Sequence, residues 1–146
     1  MVTKESYEKQ TSDSDVEKMM RESVVLITGA SRGIGAPAAK LLARHGASVG
    51  VNYYASQAAA HEVVEEITSA GGQALAVKAD VREPQQVQTM VQQVTEAFGV
   101  VGTLVVNANA SFSTAPFVEH RWEDFEAKLL GELKGAFFPC KAVVPS

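Results

Sequence analysis

An α/β fold with a parallel, doubly wound sheet is predicted by three observations. Four short apolar runs alternate with four segments of helical character. The first run, Val24-Val25-Leu26-Ile27, is apolar at every position, as befits a strand covered on both faces. Between that run and the next helical segment stands a glycine-rich turn, Gly29 to Gly35. Strand, crossover helix and parallel strand close in a right-handed sense, so the alternation defines the topology.

The elements follow in order. Val24 to Thr28 reads as β-strand and Ala36 to His45 as helix, with Leu41 and Leu42 on its apolar side and Gly46 as the residue that ends it. Pro37 is tolerable only within the first turn, where a backbone N–H has no intrahelical partner. Ala47 to Tyr53 is the second strand, weakened by Gly50. Ser56 to Ala70 is the second helix, with Val63, Val64 and Ile67 on one face and Gly71-Gly72 beyond its end. Ala74 to Ala79 is the third strand. Pro84 opens the third helix, whose Val87, Met90, Val91, Val94 and Phe98 make the clearest helical period in the chain, stopped by Gly99. Thr103 to Asn107 is the fourth strand and Asn109 to Glu119 a loop. Trp122, Phe125, Leu129, Leu133 and Phe137 mark a long last helix that Pro139 is expected to kink or end. Its apolar stripe suits either core or an interface between chains.

The 146 residues carry a formal net charge of −4. That argues against a nucleic-acid surface. No apolar run reaches bilayer-spanning length, so no membrane insertion is expected. The single cysteine, Cys140, precludes an internal disulfide and fits a cytoplasmic location. His45, His61 and His120 are scattered, without metal-ligand spacing. Residues 1–22 are polar and of mixed charge, with no apolar signal-peptide core; they read as a tail ahead of one domain spanning 23–146. Met19-Met20 leaves a later start open.

The glycine turn carries the chemistry. Gly29, Gly33 and Gly35 supply positive φ, close backbone approach and tight helix–strand packing. A helix N-terminus following such a turn is a site for a phosphate group. Dinucleotide sites that take NAD place Asp or Glu about 20 residues further on, to hold a ribose hydroxyl. Here that region reads Val51-Asn52-Tyr53-Tyr54, with no acid to repel a 2′-phosphate. Arg32 can offer a charge-assisted contact to such a phosphate, and Asn52 and Ser56 neutral hydrogen bonds. NADP is therefore expected over NAD. A solvated surface arginine is the competing reading of Arg32, and a turn or N-cap aspartate that of Asp80.

Thr28-Gly29-Ala30-Ser31-Arg32-Gly33-Ile34-Gly35 resembles the cofactor signature of the short-chain dehydrogenase/reductase family. The resemblance runs from about Ser23 to the end and is nearest to 3-oxoacyl-carrier-protein reductases. It implies the N-terminal part of a Rossmann-type sheet, four strands alternating with four helices, in a sheet order in which the fourth strand is central. It also implies that Asp80 and Val81 hold the adenine edge. Asn107-Ala108-Asn109-Ala110 sits where the family has Asn-Asn-Ala-Gly, with Asn107 and Ala108 toward the cofactor. With Gly29, Ser31, Arg32, Gly33, Ile34, Gly35, Asn52 and Ser56 these complete the expected cofactor set.

The resemblance also implies a Ser and a Tyr-x-x-x-Lys pair for hydride chemistry. None of Tyr7, Tyr53 and Tyr54 has Lys four residues on. The family's catalytic Asn aligns with Glu132, which reads as an exposed helix carboxylate and, when ionised, cannot donate a hydrogen bond as an amide can. No residue of this chain is assigned a catalytic role. The chain is expected to be a fragment, a truncated product or one partner of an assembly. Two functions follow: the cofactor half of a reductase acting on a carbonyl, alcohol or 3-oxoacyl substrate, associating as a homo-oligomer or with a partner; or a non-catalytic nucleotide-binding or interaction module.

Overall fold

A computed structural model describes residues 20–144. Tyr7, most of the expected tail and the last two residues lie outside the described residues. Four parallel strands, β1 (Val24–Ile27), β2 (Ser48–Tyr53), β3 (Gln73–Lys78) and β4 (Thr103–Val105), form one sheet in the order β3-β2-β1-β4. Helices α1 (Gly35–Arg44), α2 (Gln57–Ser69), α3 (Pro84–Phe98) and α4 (Trp122–Val143) alternate with them, and a 3-10 turn, Phe117–Glu119, interrupts the last loop.

β1 is central, in register with β2 from Val24–Ser48 to Ile27–Val51 and with β4 from Val25–Thr103 to Ile27–Val105. Its all-apolar sequence follows from the two layers it serves. Val25 and Ile27 join Val49, Val51, Val63 and Ile67 in the core beneath α1 and α2. Val24 and Leu26 point to the other face, where Val77, Val87, Met90 and Val94 pack. Gly50 is explained by that second layer. A Cβ there would stand 2.8 Å from Val94 Cγ2 and 3.0 Å from Leu26 Cδ1, so glycine lets α3 close on the sheet. The expected weakening of β2 by Gly50 is thus offset by closer packing.

Pro37 occupies the first turn of α1 and Pro84 the first residue of α3, where neither interrupts a helical bond. Gly46 and Gly99 follow their helices with φ of 99° at both positions. Of the two outcomes expected at Pro139, the helix does not end there, and the expected bound of β4 needs correcting. α4 continues through Pro139 to Val143, with Pro139 buried. The proline ring presses on the carbonyl of the residue four back; that residue is Gly135, whose bare backbone leaves room to adjust. β4 also ends at Val105 rather than Asn107. Asn107 turns its N–H onto the Thr28 hydroxyl instead, at 2.9 Å.

Candidate functional site

The carboxyl ends of the four strands surround a cleft of about 600 Å³. Its floor is the turn between β1 and α1. Its walls are the tips of β2, β3 and β4, and Gly131 and Gly135 of α4 close the far side. β1 leads into α1 on one face of the sheet and β4 toward α4 on the other, so this is the crevice where ligands bind in open α/β sheets.

The turn is held from both sides. Thr28 is fully buried, and its hydroxyl accepts the N–H groups of Asn107 and Ala108 at 2.9 and 3.0 Å. Asn107 Nδ2 donates to the carbonyls of Thr28 and Gly29 at 2.9 and 3.1 Å. From the β2 side, Asn52 Oδ1 accepts the N–H of Gly29 at 3.0 Å. The Asn52 carbonyl accepts that of Ala30 at 2.8 Å.

Glycine is required at three places for different reasons. Gly29 has φ of +63°, and a Cβ there would lie 2.8 Å from Ala108 Cα. A Cβ on Gly35 would lie 2.7 Å from Asn107 Nδ2. Gly33 has φ of +59° with nothing within 4 Å of a built Cβ, so it borders open space. Ile34 is the N-cap of α1, strongly exposed and without a side-chain cap, and the first turn has no acid. The leading N–H groups of the helix therefore keep their capacity for an anion. A cradle of glycines beneath an uncapped helix N-terminus fits a pyrophosphate, as the spacing predicts.

Around this cradle the expected residues divide into two groups. All of those named line the cleft except Gly35, and Ser31, Arg32, Ser56, Val81 and Ala108 do so with no side-chain hydrogen bond to the turn. Arg32 is exposed and has no ion-pair partner among the described residues. Ser56 is the N-cap of α2 but makes no side-chain cap hydrogen bond, which leaves its hydroxyl uncommitted to the helix. Asn52 and Asn107, in contrast, are consumed by the backbone. Asn52 is 1% exposed, and its Nδ2 reaches the carbonyls of Tyr53, Val77 and Ala79 at 3.2–3.4 Å. The expected hydrogen bond from Asn52 to a 2′-phosphate gives way to a positioning role under the turn, because its carboxamide is already used.

Asp80 is likewise occupied. Its Oδ1 accepts both the backbone N–H and Nε of Arg82 at 2.9 Å, and its Oδ2 accepts Nη2 at 2.7 Å. The Arg82 side-chain hydrogen bond, outweighing burial, holds the Asp80 carboxyl below its ordinary range, and Asp80 raises Arg82 in return. Asp80 also donates its N–H to Gln86 Oε1 at 2.9 Å, which ties the tip of β3 to α3. The competing turn reading of Asp80 therefore captures part of its role.

Glu132 is not the free helix carboxylate expected. Its Oε1 accepts the Ala110 N–H at 2.9 Å and the Lys128 ammonium. Lys128 also donates to Asn109 Oδ1 and to the Ala110 carbonyl at 2.8 and 2.6 Å. The Lys128 hydrogen bond keeps Glu132 ionised to lower pH than usual. The pair pins the loop after β4 onto α4. The i,i+4 spacing of Lys128 and Glu132 was visible in the sequence; the loop they hold was not. Thr28, Arg82 and Tyr54 were also missed as site residues, since their partners are distant or lie on other strands.

Such a cleft has the form shared by dinucleotide-binding α/β proteins. The sequence profile of the short chain dehydrogenase family matches residues 23–146, and the chain belongs to that family. It is 45% identical over 113 residues to an uncharacterized oxidoreductase of Methylorubrum extorquens, covering 75% of this chain and 46% of that protein. It is 40% identical over 120 residues to a 3-oxoacyl-[acyl-carrier-protein] reductase of a Synechocystis strain, covering 82% and 48%. The crystal structure of a short chain dehydrogenase from Burkholderia cenocepacia in complex with NADP superimposes with a TM-score of 0.76 at 35% identity, covering 85% of this chain and 50% of that one. The chain thus spans about half the length of each of these relatives. Family and fold together make it an oxidoreductase-family chain with a Rossmann-type sheet. No described helix is long and apolar enough to cross a membrane.

Proposed function

We propose that this chain binds NADP(H) in the β1–α1 cleft and forms the cofactor-holding part of a reductase. The observation that carries the reading is the character of the β2 tip. It offers the Ser56 hydroxyl, which makes no cap hydrogen bond, no carboxylate of its own, and across the same cleft Arg32, which has no ion-pair partner among the described residues. A ribose 2′-phosphate meets Arg32 and the Ser56 hydroxyl there, and the carboxylate that lines the cleft, Asp80, is paired with Arg82. The Burkholderia relative's complex with NADP supports the same choice. Bound there, the nicotinamide cofactor supplies a hydride for reversible carbonyl reduction. This chain's own residues hold and orient it: Gly29, Gly33 and Gly35 give the backbone its approach, while Asn52, Thr28 and Asn107 keep the turn rigid.

Calorimetric titration of the 146-residue chain tests the reading. NADP+ is expected to bind about tenfold or more tightly than NAD+, and Arg32→Gln to abolish most of that difference. Equal affinities in the wild-type chain would remove the NADP assignment, and no binding of either would remove the nucleotide reading.

Hydride transfer also needs a proton donor at the carbonyl oxygen, and no Tyr-x-x-x-Lys occurs in these 146 residues. The chain alone is therefore expected not to oxidise NADPH with ketones or 3-oxoacyl thioesters; turnover by the purified chain would refute this. Association with a second copy or a partner is proposed through the outer face of α4, where Trp122, Leu129, Leu133 and Phe137 are all exposed. A monomer by light scattering, unchanged by Leu129→Glu, would exclude that face.

A further inference from the structure

Three oxygens converge on one ammonium behind the β4 side of the cleft: Lys128 Nζ donates to Asn109 Oδ1 at 2.8 Å, to the Ala110 carbonyl at 2.6 Å and to Glu132 Oε1. A lysine has three N–H donors and no acceptor, so this ammonium is fully used. The same Glu132 oxygen accepts the Ala110 N–H, so both backbone groups of Ala110 are tied to one helix. Lys128 and Glu132 stand a turn apart on α4, at i,i+4. Gly131 beside them lets the helix lie against the loop, since a Cβ there would stand 2.9 Å from Ala110 Cβ.

The loop so held is a wall of the site. Asn107, Ala108, Asn109, Ala110 and Ser111 line the cleft, whereas Lys128 and Glu132 do not. At one end this segment hangs from the Thr28 hydroxyl, through the N–H groups of Asn107 and Ala108. At the other end Lys128 and Glu132 hold it. The family resemblance puts an amide at 132. An amide oxygen accepts the Ala110 N–H as a carboxylate does, but it brings no charge to balance an ammonium. Glu132 is the only ion-pair partner of Lys128 among the described residues, and both side chains are partly buried. In such a pair, removing one partner strands the charge of the other, whereas removing both does not.

We propose that Lys128 is a positioning residue for the β4 side of the cleft, and that its charge is the reason a carboxylate stands at 132. The lysine draws the Asn109 and Ala110 oxygens onto α4. The carboxylate supplies the counter-charge and takes the Ala110 N–H. Each residue needs the other. Without the ammonium, the converging oxygens face one another with no donor between them. Without the carboxylate, the ammonium keeps only neutral acceptors. With both replaced by neutral groups, the loop gives up its bonds to Lys128 but no charge is stranded. Glu132 therefore acts through the loop rather than on the contents of the cleft. The effect on cofactor affinity rests on the nucleotide reading above; the effect on the loop does not.

Amide hydrogen exchange by NMR and calorimetry with NADP+, both on the full 146-residue chain, test this. In Lys128→Met and in Glu132→Gln the amides of Asn109, Ala110 and Ser111 are expected to exchange about tenfold faster, a larger factor than at the amides of β1 and β2. In the double variant their exchange is expected to return to within about threefold of the wild type, the second substitution repairing the first. Glu132→Asn, which installs the residue the resemblance implies, is expected to loosen the loop beside Lys128 and to be tolerated beside Lys128→Met. NADP+ affinity is expected to fall about fivefold in each single variant, through lost preorganisation of the wall, and to recover in the double variant. Losses that add in the double variant would overturn the pairing. Equal acceleration at every amide, or no acceleration at 109–111 in either single variant, would remove the positioning role. Unchanged NADP+ affinity in single variants whose loop has loosened would sink the role at the cleft. A wild-type chain that binds no NADP+ would instead bring down the nucleotide reading, and the exchange pattern would still decide for or against the pair.

Discussion

α3 and α4 carry apolar stripes of the same helical spacing, and the fold uses them in opposite ways. In α3 the stripe points inward: Val87, Met90 and Val94 are fully buried against the sheet. In α4 the large residues Trp122, Leu129, Leu133 and Phe137 face out, and the buried positions are Gly131, Gly135 and Pro139. Where the inward face of α4 lies close to the site it is lined by small residues; further along, Phe138 and Val143 pack against the core. A Cβ on Gly131 would come within 2.9 Å of Ala110 Cβ, and one on Gly135 within 3.3 Å of Val81 Cγ2. Periodicity therefore shows that a face is apolar, not what it faces. Close backbone approach at the cleft selects the small side of α4, and the large side is left for another surface.

That contrast can be broken at its strongest point first. Met90→Ala removes a fully buried side chain of α3 and is expected to cost about 2–5 kcal/mol of stability in urea unfolding. A cost below about 1 kcal/mol would mean that α3 is not the packed layer. Gly131→Leu places a side chain into the Ala110 contact and is expected to destabilise by about 1–3 kcal/mol and to weaken nucleotide binding. A neutral result would show that α4 does not approach the loop after β4.

Next in size is an acid effect on the cleft side. The folded pKa of Asp80 lies below its unfolded value. Its stabilisation is thus complete above the unfolded pKa, near 4, and is lost as pH falls through the lower folded value. Asp80→Asn is expected to lower the Tm at pH 7 and to shrink the gap between pH 7 and pH 3. An unchanged gap would show that the fork with Arg82 contributes nothing to folding. Smallest is Leu133→Gln on the outer face of α4, expected to shift stability by no more than about 0.5 kcal/mol in a monomer. A larger, concentration-dependent shift would sharpen the contrast by revealing that this face is covered in solution.

Much of the site was legible because its requirements are local. Gly29 and Gly33 carry their φ, Pro84 its place at a helix start, and the missing acid after β2 its meaning, from the sequence neighbourhood alone. Asn52 was not legible in the same way. Its position named it as a phosphate contact, whereas burial and hydrogen bonds to Gly29, Val77 and Ala79 make it a strut beneath the turn. Glu132 likewise read as solvated until the fold brought Ala110 and Lys128 to it.

The sequence by itself determined the strand–helix alternation, the glycine cradle and the absence of a repelling carboxylate. Each depends on side-chain period or backbone conformation within a few residues. Only the tertiary structure decided which face of α4 is buried, that Thr28 latches onto Asn107 across the sheet, and that Arg82 lies between Asp80 and the ring of Tyr54. Those depend on which strands lie side by side and how closely a helix approaches their ends, and packing of the whole chain sets both.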